Sequence, residues 1–454
     1  MTWAIALAAV APLGACDGLR EDLLRADDPD IISPDAVKSA AGADAVRVGA
    51  LSRLRDLGPG GGGSNGTVWT QGGLLVDEWK SSNTFFQHNE TDERKVQDNN
   101  SVVLAMLRDA YRVRTSAREA INALTEFKPA PAANIGQMYF AMAFAEMSLA
   151  ENFCNGIPLG DASTGAIEYG PPLSNTAVFT LALAHADSGL ALSTATDAAS
   201  VAIANQLRIL KGRLLIDLGR FSDVTAVVSA VPTNFIFNAT FALTSGDNAV
   251  WSINTNQKRF VVGDSVDQVG RIFNALPFAS AKDPRVPVVG TSTGTSPAGR
   301  GFDNFTNQVT QSVFGRSDLI PYVSGVDARL QQAEVALRAD DFAGMMTILN
   351  ALRAAPQSLG TVTTPAMAAL PVPTTKDAAI DLYFREKAFW TFSRGQRLPD
   401  LRRLVRQYSR TAANVFPTGT FFKTNTPYGP DVNFPMIREE LANPAFTGCT
   451  DRNP

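Results

Sequence analysis

DAAIDLYFREKAFWTFSRGQRLPDLRRLVR, the stretch from Asp377 to Arg406, sets the architecture. Its first half places Ile380, Leu382, Tyr383, Phe384, Phe389, Trp390 and Phe392 within about three helical turns, too many apolar side chains for one amphipathic stripe. It predicts a helix enclosed on most sides, a central packing element. Arg385, Glu386 and Lys387 interrupt the apolar run. Past Gly395, the residues Arg397, Asp400, Arg402 and Arg403 fall at helical spacing and predict a second helix with charge pairs.

Outward from this stretch the helical period recurs in pairs. Val102–Phe127 is followed by Ala133–Phe153, Asn175–Leu192 by Val201–Leu218, and Val326–Arg338 by Phe342–Ala354. From Ala204-Asn205-Gln206-Leu207 to Gly219-Arg220-Phe221 the chain runs from small residues to Leu214-Leu215, then to a glycine turn and an aromatic ring. That is the distribution of a tetratricopeptide-like antiparallel pair, although no strict repeat period survives. The fold class read from these blocks is mostly α, built of tetratricopeptide-like helical pairs. Asp35 is the expected cap of a further helix running to about Leu57, with Val37, Ala41, Ala45, Val48, Leu51 and Leu54 on one face. Gly58 to Gly66 (GPGGGGSNG) ends it as a flexible loop. Trp69 to about Asn100 has no clear period and reads as ordered loop. Between Val231 and Gly325 the pattern changes: Phe235, Phe237 and later Val250-Trp251-Ser252-Ile253 alternate as in short strands, and Val286–Gly301 is rich in Gly, Ser, Thr and Pro. Residues 231–325 are thus expected to form a loop-rich insertion containing short β-strands, the kind of segment in which a rigid scaffold presents binding groups.

The 454 residues carry a net charge of −4, with 45% hydrophobic and 19% charged. This is a globular composition with no basic surface for nucleic acid. Ala4–Leu13 is an apolar run of signal-peptide length, too short to span a bilayer, and it leads into Leu13-Gly14-Ala15-Cys16, a lipobox. Residues 1–15 therefore read as a lipoprotein signal peptide, although Met1-Thr2-Trp3 lacks a lysine or arginine. Cleavage would free Cys16 to carry the acyl chains, palmitate among them, that anchor the mature protein to a membrane. Residues 16–34, charged and containing Pro29 and Pro34, read as a tether, and 35–454 as a single domain. In an exported chain the remaining Cys154 and Cys449 suggest one disulfide, the alternative being two unrelated thiols. No CxxC or Cys/His spacing suits a metal, and neither metal nor cofactor is expected.

The order Arg385-Glu386, Phe389, Gly395, Arg397 and Asp400-Leu401-Arg402-Arg403 resembles the C-terminal signature of the SusD/RagB family, nutrient-binding lipoproteins that sit on TonB-dependent outer-membrane transporters. Gly325–Ala354, Asp283-Pro284-Arg285, Phe434-Pro435-Met436 and Asn443-Pro444 continue the resemblance, in the family's order, over most of the chain. Arg394 departs from it, standing where many relatives carry an acidic residue. The resemblance implies a SusD-like α superhelix lipid-anchored at the outer membrane through Cys16. It also implies a protein without enzymatic activity, which captures a glycan or peptide and delivers it to a TonB-dependent (SusC-like) transporter. The same helical pairs allow an alternative, a tetratricopeptide-like envelope scaffold that binds protein partners only.

Few residues suggest chemistry. Gly290-Thr291-Ser292-Thr293-Gly294 matches the G-x-S-x-G elbow, but Thr295-Ser296-Pro297 cannot open the helix that elbow requires. His185, in Ala184-His185-Ala186, reads as a packed helix histidine. Recognition is suggested instead by aromatic rings among amides at Trp79, Asn83, Phe85, Phe86 and Gln87, with His88 beside them. Sugar rings stack on aromatic faces while amides read hydroxyls. The bland alternative is that these rings pin a long loop to the body.

Overall fold

The hydroxyl of Ser39 accepts from Gly42 N at 3.0 Å and opens helix α1 (Ala40–Leu57). The computed structural model describes residues 38–61, 66–161, 166, 168–242, 244–359 and 362–454. The signal peptide, Cys16, the tether and the expected cap Asp35 lie outside the described residues, as does the middle of the glycine loop. Among the described residues no helix is long and apolar enough to cross a membrane.

The expected loop from Trp69 to Asn100 instead holds α2 (Val68–Leu75), β1 (Trp79–Ser81) and α3 (Phe86–Asp92). Thr67 and Thr70 form a reciprocal capping box at the start of α2, and every residue of that helix is buried. An element enclosed on all sides shows no amphipathic period, which is why the sequence concealed it. Asn100 then caps α4 (Ser101–Phe127), and α5 (Ala133–Asn152) follows as its antiparallel partner. The face of α1 that packs on α4 is only partly the expected one, which supplies Leu54 and the half-buried Leu51. Ala43, Ala50, Leu54 and Leu57 are buried, whereas Ala41, Ala45 and Val48 are exposed.

After the short ladder β2 (Ile157–Pro158) with β3 (Pro172–Leu173), the helical pairs continue as α6 (Asn175–Leu192), α7 (Ala198–Asp217) and α8 (Phe221–Val228). Gly219, at φ 73°, makes the turn between the last two. The insertion contains β4 (Ile236–Ala239), α9 (Ala249–Trp251), β5 (Phe260–Val262), β6 (Val288–Gly290), β7 (Val309–Gln311) and β8 (Ile320–Ser324). These strands pair antiparallel as β1 with β5, β4 with β8 and β6 with β7. Val250–Ile253, expected as strand, is helical: Asn248 caps α9 through Trp251 N at 2.8 Å, and the chain runs on as a π-helical turn, Ser252–Asn256. Val250 and Ile253 are both buried, a three-residue spacing that one helical face satisfies. The array resumes with α10 (Gly325–Arg338) and α11 (Phe342–Ala354), α8 packing on α10 and α10 on α11. The architecture is thus mostly α.

The opening stretch becomes α12 (Lys376–Trp390) and α13 (Arg397–Gln407). From Tyr383 to Trp390 only Arg385 is exposed. Gly395, at φ 67°, joins the two helices where an added Cβ would stand 2.1 Å from the Trp69 ring. The charges expected to pair along α13 do so only between Arg403 and Asp400, at 2.8 Å. The others reach across the fold. Arg397 grips Asp77 at 2.7 and 2.8 Å, Arg394 grips Asp327 on α10 at 3.1 and 2.6 Å, and Lys387 meets Asp400 at 2.7 Å. Arg403 also reaches Glu334, while Arg285 and Arg353 converge on Glu386 at 2.8 and 3.0 Å. Buried pairs of this kind add little net stability but are costly to break, so they fix which helix meets which.

Candidate ligand-binding surface

Three loops are stitched together at one side of the insertion. Ser82 N donates to Arg259 O at 2.9 Å, and Ser82 Oγ donates to Lys258 O at 2.7 Å. Phe302 N donates to the same Lys258 carbonyl at 2.8 Å, and Asp303 N to Ser82 O at 2.9 Å. The hairpin that contributes Phe302 closes through Arg300 and Asn307. Within it Asp303 accepts from Phe305 N and Thr306 N at 2.9 and 2.8 Å. Asp303 is also bound by Lys423 Nζ at 2.9 Å, and that ammonium donates to Asn83 O at 2.7 Å and Asn89 Oδ1 at 3.0 Å. Backbone and charge therefore hold the loops as one unit.

This unit presents rings to solvent. Phe85, Phe86, Phe302 and Phe305 are 42%, 61%, 46% and 50% exposed, an unusual gathering of large apolar side chains outside the core. The guanidinium of Arg259 lies 4.6 Å from the Phe85 ring centre and 4.0 Å from that of Phe302, oriented by Asn83 Oδ1 at 2.7 Å. Phe305 stacks on Phe422 at 6.1 Å and 5°, and Lys80 Nζ lies 4.1 Å from the Phe422 ring centre. Cation–π contact braces both ring pairs, so the rings form a platform of flat faces bordered by the Arg259 guanidinium.

The residues singled out by sequence divide into two sets. Phe86 is exposed, and Phe85, next to it in the chain, stands on the platform against Arg259. Trp79, Asn83 and His88 stand behind it: Trp79 is wholly buried against Phe392 at 5.1 Å, and Asn83 and His88 are buried as well. His88 Nδ1 shares a 3.0 Å hydrogen bond with Gln71 Nε2, and its ring lies parallel to Phe85 and edge-on to Phe260. Burial, aided by the nearby cations Arg259 and Lys423, pushes its pKa down to about 4, so it is a neutral prop for Phe85. His185 packs in its helix beside Tyr139 and bonds Glu146 at 2.7 Å. Ser292 Oγ donates to Asp264 at 3.0 Å and has no imidazole partner, and no helix follows it. Among the described residues no cluster of His, Cys, Asp or Glu could hold a metal ion.

Sequence reasoning missed Phe302, Phe305, Arg259 and Lys423. The signal was present in Gly301-Phe302-Asp303-Asn304-Phe305, which sets rings among polar turn residues as Asn83–Gln87 does. Cys154 and Cys449 are joined in a disulfide with Cα atoms 5.8 Å apart. Asn155 Nδ2 donates to Asp451 Oδ1 at 2.9 Å beside it, holding the C-terminal tail to the end of α5.

No family model matches the sequence and no curated protein matches it. In structure the chain is similar to a SusD superfamily protein from Bacteroides vulgatus, with 15% identity, 91% of this chain and 99% of that one covered, and a TM-score of 0.64. It is similar also to a SusD-like carbohydrate binding protein from Bacteroides vulgatus, with 13% identity, 92% and 98% covered, and a TM-score of 0.62. A third likeness is to surface glycan-binding protein A from Bacteroides uniformis, with 13% identity, 90% and 99% covered, and a TM-score of 0.61. At such identities the likeness establishes the fold, and the chain has the fold of the SusD superfamily, as the C-terminal resemblance implied.

Proposed function

We propose that the protein is a non-enzymatic carbohydrate-binding lipoprotein of the cell envelope. Cys16 anchors it to the outer membrane, and it delivers a captured glycan to a TonB-dependent transporter. The observation that carries the reading is the group of exposed rings in which Phe85 and Phe302 lie against Arg259, with Phe86 and Phe305 on the same two segments. Pyranose C–H faces stack on aromatic rings, and the bordering donors suit hydroxyls. The fold supports the same reading, since two of the similar structures are described as carbohydrate- or glycan-binding proteins.

The test is a thermal-shift and calorimetric screen of the purified full-length protein, in detergent, against neutral oligosaccharides and against peptides. An oligosaccharide should bind, and Phe302→Ala with Phe305→Ala should weaken it at least tenfold while leaving the melting temperature nearly unchanged, because both rings are already exposed. Binding of peptides alone would move the ligand class. Binding of neither would favour the envelope scaffold with protein partners only.

A further inference from the structure

A second cavity, of about 380 Å³, opens between α12, the first turns of α13 and the segments around Asn274 and Asn414. None of its lining residues belongs to the aromatic platform. Its floor is apolar, formed by the buried Phe384, Leu401 and Leu404. Its charged groups are Arg385, Arg397 and Arg410 with the carboxylate Asp381, and Arg410 is paired with Asp381 at 3.1 Å and with Asp377 at 3.2 Å. Arg385 has no hydrogen bond or ion pair among the described residues, and its guanidinium merely lies 5.0 Å from the Phe389 ring centre. Arg397 is 5% exposed, and Nε and Nη2 are taken by Asp77 while Nη1 has no partner among the described residues. Asn414 accepts from Thr411 N through Oδ1, and its amide N–H groups have no partner there either.

Three sets of donors with no acceptor, one of them on a nearly buried guanidinium, thus line one space large enough for a small ligand. Guanidinium forks match a planar carboxylate, and the apolar floor suits the C–H face of a sugar ring, which an inorganic anion lacks. We propose that this cavity binds the carboxylate of an acidic sugar residue, a uronic acid. The choice of a sugar acid rests on the glycan-binding reading, whereas the anion preference rests on the cavity alone.

The experiment is calorimetric titration of the full-length protein in detergent with glucuronate, glucose and sulfate. Glucuronate should bind, and glucose and sulfate should bind at least tenfold more weakly. Arg385→Gln, on an exposed helix position, should weaken glucuronate at least tenfold, as should Asn414→Asp, which sets a carboxylate in the cavity. Phe302→Ala should leave it unchanged. The proposal is overturned if glucuronate does not bind, if sulfate binds as well, if both cavity variants bind glucuronate normally, or if Phe302→Ala abolishes its binding. Glucuronate binding that responds to Arg385→Gln in a protein that takes no neutral oligosaccharide leaves this site standing and removes the aromatic-platform reading, so the two fail separately.

Discussion

Glu78 is wholly buried beside β1, with Oε1 accepting from Ser393 N at 3.0 Å and Oε2 without a partner. Burial pushes its pKa up to about 8; the neighbouring Asp77 adds to the shift, and the Ser393 N–H and Arg397 oppose it. The unfolded chain releases this proton near 4.5. Between those values the folded state holds a proton that the unfolded state has lost, so this contribution to stability is complete below the lower value and disappears as pH rises through the upper one. Glu78→Gln keeps the shape and cannot ionise. Urea denaturation should therefore show the variant gaining on the wild type from about pH 5 to about pH 9, by on the order of a few kcal/mol; parallel stability curves would disprove the assignment. Individual residues were the least legible part of the sequence. Trp79, Asn83 and His88 were located beside the platform, but their type does not reveal which way they face. All three residues of β1 are buried, so no alternation marks an outward side. Phe302 and Phe305 went unread because the ring they complete includes Phe85, more than two hundred residues earlier in the chain.

At the scale of elements, legibility followed length. The expected starts and ends of α4, α5, α6, α10 and α11 fall within a residue of the observed ones, because several turns of consistent period leave one solution, with a polar cap at the start of each except α5. The fully enclosed α2, the seven-residue α3 and the π-helical turn after α9 left too short or too uniform a pattern. The 300–307 hairpin depends on contacts remote in sequence. Lys423 links it to the 83–89 segment through Asp303, Asn83 and Asn89, beside the Arg259 contacts to Phe85 and Phe302. Lys423→Met removes all three bonds while keeping the side chain's apolar length. It should raise amide exchange at 300–307 and weaken oligosaccharide binding severalfold, whereas unchanged exchange would show that the backbone bonds suffice. Gly301 adds to the close seating, since a Cβ there would stand 2.4 Å from that of Ser82. The C-terminal tail is a second remote dependence. The Cys154–Cys449 bridge closes a sequence separation of 295 residues, and Arg452 Nη2 donates to Asn433 O at 2.6 Å nearby. Cys154→Ser with Cys449→Ser should lower stability by about 2–5 kcal/mol and open the tail beyond Phe446 to protease. Unaltered cleavage would mean that the hydrogen bonds around Asn433 and Asp451 hold the tail without the bridge.

The whole molecule is a helical array whose members meet through buried ion pairs and whose 83–89 segment and 300–307 hairpin carry the exposed rings. The array was readable from helical pairing and from the motif resemblance. Arg394 shows how a departure from that resemblance is accommodated: its guanidinium is paired with Asp327 of α10, so a cation in place of an acid is satisfied within the fold. The proposed anchoring rests on the first residues. An apolar run ending in Leu13-Gly14-Ala15-Cys16 cannot span a bilayer, yet an acylated Cys16 can hold the chain to one. A single acyl chain gives marginal, reversible binding, whereas two or more hold a protein firmly. Cys16→Ser removes the proposed acylation site. The variant should pass from the membrane fraction to the soluble fraction while keeping the melting temperature and oligosaccharide affinity of the wild type, because Cys16 precedes every residue of the helical body. A Cys16→Ser protein that still partitions with the outer membrane after a high-salt wash would refute anchoring through the lipobox. A wild-type protein found only in the inner-membrane fraction would refute delivery to an outer-membrane transporter while leaving the platform's ligand chemistry intact.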